Sequence, residues 1–158
     1  MTSLDDFEDS DDRRGSDQCV VSSVHGAYHA LMGKLEGQTR LHGLDASEAL
    51  VLVTLLTDPA IAPWRIRASL GFHRSTMASI LDRLERDGHV TRRNASWDGR
   101  RYEVDLTTSG RIAADLAAFE IGELEEELAA YTTSAERRCA RSLRDASIAI
   151  TRRDRGSV

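Results

Sequence analysis

Lysine is almost absent from this 158-residue chain, with Lys34 alone beside twenty arginines. Aromatic residues make up only 5%. Two prolines and eleven glycines are too few for the many turns of a β-sandwich, so the core should be mostly helical. The two cysteines, Cys19 and Cys139, lie far apart and show no metal-type spacing. They form no disulfide framework and read as reduced thiols. No apolar run approaches membrane-spanning length and no signal-peptide pattern opens the chain, so a soluble cytoplasmic protein with no membrane partner is expected. A Gly-rich phosphate loop, a nucleophile elbow and a His-Glu zinc motif are all missing, which argues against an enzyme or a required cofactor.

The formal net charge is −5, which advertises no nucleic-acid partner. Its distribution matters more than its total. Seven acids and two arginines crowd the first 17 residues and carry the whole net charge. Residues 1–18 have almost nothing to bury and read as a disordered acidic tail, with 153–158 as a second tail. Between Arg65 and Arg111 ten arginines face six acids, a local positive field on an acidic protein. The chain is long enough for one domain with a core, placed at 19–152.

Periodicity supplies the elements. Val20, Val24, Ala27, Tyr28, Leu31 and Leu35 form one stripe of a long helix over 19–41, ended near Gly43. Asp45 with Glu48 matches an acidic capping box before an apolar helix that Pro59 stops. Pro63 to Leu70 reads as a short helix closed by Gly71. After a two-residue turn, Arg74 to Asp87 forms a helix with Met77, Ile80, Leu81 and Leu84 inward and Ser75, Ser79, Asp82, Arg83 and Arg86 outward. Two alternating strands, 89–94 and 101–106, flank an Asp98-Gly99 turn. A long acidic helix over 107–131 follows, and Thr133 with Glu136 opens a last helix to about Arg152.

A short helix, a tight turn and an amphipathic helix make a helix-turn-helix. The second helix offers its N-terminal polar face to the major groove. Here that face carries Arg74, Ser75, Thr76 and Ser79, with Arg83 one turn further on. Arg83 is expected at phosphate, and Arg86 is left open between contact and a solvated face. The hairpin, tipped by Arg100 and flanked by Arg92, Arg93 and Arg101, has the form of a minor-groove probe. Asp98, two residues before Arg100, is placed to orient that guanidinium. The fold class is mainly α with a small β-hairpin wing: a winged helix-turn-helix.

The stretch Arg74 to Arg93 resembles the recognition helix and first wing strand of the MarR family. Asp98-Gly-Arg100-Arg-Tyr-Glu-Val104-Asp-Leu106-Thr107-Thr-Ser-Gly110 is similar to that family's wing signature, D-x-R-x-x-x-V-x-L-T-x-x-G. The likeness is sharp from Gly71 to Gly110, and the terminal helices are generic. It implies a homodimer built by N- and C-terminal dimerisation helices, 19–41 and 108–152, around a DNA-binding winged helix at 44–107. It also implies a repressor of pseudo-palindromic operator DNA, released by a small aromatic or phenolic anion bound between the dimerisation helices and the reading head. The segment Ala62 to Leu70 departs from the family pattern. Trp64 there is either a packed helix-start residue or a contact to DNA backbone or ligand.

Three rival readings remain on the same residues. His25 and His29 stand one helical turn apart, a spacing that can chelate metal, but no further ligand lies near in sequence, no metal is expected, and the pair otherwise lines the dimer interface or a ligand pocket or faces water. Cys19 opens the first helix, where its thiol acidity can be raised, and the resemblance makes a redox pair with Cys139 conceivable. Burial as a small hydrophobe is the commoner fate of a cysteine. A winged helix that has lost DNA binding and serves as a protein-interaction adaptor is the third, and it would lack the arginines found here.

Overall fold

Helix ends fall where the chain's own punctuation puts them. In the computed structural model, which describes residues 19–59, 61–94 and 102–155, the elements run α1 (Val20–Thr39), a single 3-10 turn (Arg40–His42), α2 (Ala46–Thr57), α3 (Pro63–Leu70), α4 (Arg74–Arg86), β1 (Val90–Asn94), β2 (Tyr102–Leu106), α5 (Thr108–Tyr131) and α6 (Ser134–Arg155). The order is that expected from the sequence. The last helix extends to Arg155, beyond the expected 152, because no Gly or Pro interrupts Thr151 to Arg155. The acidic tail and the wing tip lie outside the described residues.

The described chain divides into two units, one up to Lys34 and one from Leu35 onward. In the first, α1 shows Val20, Val24 and Tyr28 to the outside at helical spacing, 59%, 49% and 53% exposed. The second holds the core. Leu52 and Leu55 of α2, Ile66 of α3, and Ile80, Leu81 and Leu84 of α4 are fully buried together. Val90 and Val104 seal this core from the hairpin side, and Ala113, Ala114 and Ala117 of α5 close it. β1 and β2 pair antiparallel, with Arg92 opposite Val104 and Asn94 opposite Tyr102.

Local chemistry explains the joints. Asp45 caps α2 by accepting the Glu48 amide at 2.7 Å, and Glu48 accepts the Asp45 amide at 2.9 Å, which completes the expected capping box. The turn into α4 needs Gly71, which takes φ 72°, a left-handed conformation that a β-carbon disfavours. The L-T-x-x-G end of the wing signature also has a structural cause. Thr107 caps α5 by accepting the Gly110 amide at 2.9 Å and donates to the Gly88 carbonyl at 2.6 Å. Ser109 donates to the same carbonyl at 2.8 Å. Gly110 sits so close to the His89 backbone that a β-carbon there would collide with its carbonyl oxygen. One strand end, one helix start and the corner after α4 are thus pinned together.

Candidate nucleic-acid interface

The apolar residues of α4 decide which of its side chains remain outside. Met77, Ile80, Leu81 and Leu84 are buried as expected, which leaves Arg74, Ser75, Thr76 and Ser79 exposed on the N-terminal half. None of these four has a side-chain partner among the described residues. His73, at the N-cap, makes no side-chain cap bond, so the first amides of α4 point outward unshared. Free amides, hydroxyls and a guanidinium on one helix end form a donor-rich surface suited to phosphate and base edges.

Arg83, expected at phosphate, is engaged within its own chain. It flanks the core beside Leu84 and is only partly exposed, because its guanidinium turns back to the start of α2. Its Nε donates to Glu48 Oε1 at 2.6 Å and its Nη2 to Asp45 Oδ2. Each capping-box carboxylate therefore gives one oxygen to the α2 backbone and the other to Arg83. The bond to Glu48 holds the Arg83 guanidinium above its ordinary value, against desolvation that pulls it down. Arg86, one turn further along α4, is exposed and unpaired among the described residues. The acids of the capping box were legible as a cap, but nothing in sequence links them to an arginine 35 residues away.

The flanking arginines of the wing are also engaged. Arg92 Nη2 donates to Asp82 at 2.6 Å, and its Nε lies 3.4 Å from Glu85. Arg93 pairs with Asp105 at 2.7 Å. Asp82 and Glu85 of α4 are thus partners of the wing root. Arg65, Arg67, Arg74, Arg86 and Arg111 carry no such partner among the described residues. Arg100, Arg101 and the proposed brace Asp98 lie outside the described residues.

Each sensor candidate stands exposed within its own unit. Cys19 and Cys139 are exposed free thiols, so the reading of either as a buried hydrophobe does not hold in this chain. The His25 and His29 rings meet edge to face at 4.4 Å, both exposed. No group of three metal-ligating side chains occurs among the described residues. His42 bonds Glu120 of α5 at 2.9 Å instead. Trp64 is 65% exposed on α3 and not packed as the simpler expectation had it, since Ile66 and Pro63 take the buried face of that short helix. A shallow cleft is lined by Leu55, Pro59, Val104, Asp105, Leu106 and Arg111, none of them a residue expected at a ligand site.

Comparison with known proteins agrees with this geometry. No protein-family model matches the chain. It is 30% identical over 101 residues to the HTH-type transcriptional regulator TtmR of Methylorubrum extorquens, a match covering 64% of this chain and 52% of the relative. The match thus spans about half the length of that relative. The Mycobacterium tuberculosis regulator MosR in complex with DNA superposes with a TM-score of 0.72 at 22% identity, covering 84% of this chain and 98% of that one. Reduced MarR from Escherichia coli gives 0.62 at 22% identity, over 81% and 95% of the two chains. The architecture is that of the MarR-family winged helix-turn-helix regulators, as the sequence motifs had indicated. Among the described residues no helix is long and apolar enough to cross a membrane.

Proposed function

We propose that this protein is a sequence-specific DNA-binding transcription regulator, acting as a homodimer and repressing from a pseudo-palindromic operator. The observation that carries the reading is the uncapped, solvent-facing start of α4, where Arg74, Ser75, Thr76 and Ser79 have no side-chain partner among the described residues. Arg65, Arg67 and Arg86 on α3 and α4 add cations able to pair with phosphate. The wing residues Arg100 and Arg101 extend the contact into the minor groove in the same proposal.

A second copy of the chain accounts for the unpartnered apolar faces. α5 turns its alanines to its own core and shows Ile112, Leu116 and Phe119 to solvent, 59%, 42% and 63% exposed. A helix that buries its smallest residues and exposes its largest apolar ones lacks a cover on that side. Leu143 and Ile150 of α6, and Val20, Val24 and Tyr28 of α1, are further exposed large apolar residues. Two-fold symmetry would put two copies of α4 about one turn of DNA, roughly 10 bp, apart. The effector, a small aromatic or phenolic anion, rests on the family resemblance. It would act only by favouring a dimer whose heads no longer match that spacing.

Titrating a fluorescent duplex at increasing salt tests the reading. Affinity should fall steeply with salt and should fall further in Arg74→Ala. Absence of binding at low salt would overturn it.

A further inference from the structure

We propose that Arg92 is a positioning residue: it fixes the wing to the recognition helix and does not itself contact DNA. The inference rests on the DNA-binding reading above and names how its two contact elements are held together. Arg92 is the third residue of β1, so it moves with the hairpin. Asp82 and Glu85 stand one turn apart on α4, so they move with the recognition helix. The guanidinium bridges the two, with Nη2 donating to Asp82 Oδ1 at 2.6 Å and Nε 3.4 Å from Glu85 Oε2. Glu85 also accepts the Arg92 backbone amide at 3.2 Å, so one carboxylate grips both backbone and side chain. On the other side the guanidinium lies over the Tyr102 ring of β2, 5.7 Å from its centroid.

Three features separate this arginine from a phosphate contact. Its side chain is 25% exposed, against 66% for the neighbouring Arg93. Its Nε is buried. Its charge is met by two carboxylates, which leave it little net attraction for an approaching phosphate. Two acids on a DNA-reading helix otherwise cost affinity. A fork of donors spanning two carboxylates is a geometry that arginine supplies and lysine does not.

The sign of the acid variants tells the two roles apart. The probe is a fluorescent duplex carrying whatever sequence the wild-type protein selects from a random pool, titrated at several salt concentrations. Arg74→Met should flatten the slope of log affinity against log salt by about 0.9, the value of one phosphate contact. Arg92→Met should leave the slope unchanged while lowering affinity by about tenfold. Asp82→Asn with Glu85→Gln should also weaken binding, although it removes negative charge. Combining those changes with Arg92→Met should add nothing, and Arg92→Lys should recover only part of the loss. A flattened slope in Arg92→Met together with tighter binding in the acid variant would overturn the proposal. If the wild-type protein selects no duplex, the DNA reading fails by itself. Hydrogen exchange of the β1 and β2 amides then judges the strut: faster exchange in Arg92→Met supports it, and unchanged protection removes it.

Discussion

Arg83 donates to Glu48 at 2.6 Å, and through that bond the recognition helix is locked to the start of α2. The Glu48 side chain is 7% exposed and that of Arg83 39%. The acid is therefore buried with one cation, and the cation keeps one side in water. Removing the partner strands the carboxylate. Arg83→Met should lower unfolding free energy by about 2 kcal/mol, below the range for a fully buried pair because Arg83 stays half open. Urea denaturation reads the change. A loss equal to that of Arg86→Met, on the open face, would contradict the bracing role.

Gly110→Ala should destabilise by about 2 kcal/mol or more, since the new methyl meets backbone that cannot move without breaking the Thr107 cap. Thr107→Val should cost about 1 kcal/mol through the lost cap. Because both changes act on one joint, the double variant should fall short of their sum. Thermal melts of the three variants check this.

Stability at the start of α6 should depend on pH. Glu136 is held below the usual carboxylate value of 4.5, chiefly by the Thr133 backbone amide and then by the Thr133 hydroxyl. A carboxyl lowered on folding stabilises the folded form above its unfolded value. That contribution fades as pH falls through the lower folded value. Amide protection factors in the first turn of α6, corrected for the intrinsic exchange rate at each pH, should therefore fall below about pH 4.5, and Glu136→Gln should remove that pH dependence. The residue is fully exposed, so the effect stays local to this helix start.

Phe119→Asp should convert the proposed dimer to monomer with the monomer fold retained, because Phe119 is 63% exposed and is not among the buried residues of the core that Ala113, Ala114 and Ala117 close. Sedimentation velocity and circular dichroism, run together, check both halves of that statement.

Much of this was readable in the sequence because it is local. The two capping boxes, the Gly71 turn and the α4 stripe each depend on residues within a few positions of one another. The winged-helix order follows from them. The roles of Arg83, Arg92 and Arg93 were not readable, since each is decided by a carboxylate on another element. Outward-facing arginines on a helix or strand look alike until the fold brings Glu48, Asp82 or Asp105 beside some of them. Of the two readings left open for Trp64, the packed one fails for a related reason: an eight-residue helix has one narrow buried face, and Pro63 and Ile66 fill it.

Selection of bound duplexes from a random pool, followed by measurement of protein-to-DNA stoichiometry on the winner, tests the central claim most directly. The account predicts a two-fold symmetric site held by two chains, out-competing bulk DNA at moderate salt. Enrichment of no sequence, or capture of an asymmetric site by a single chain, would contradict it.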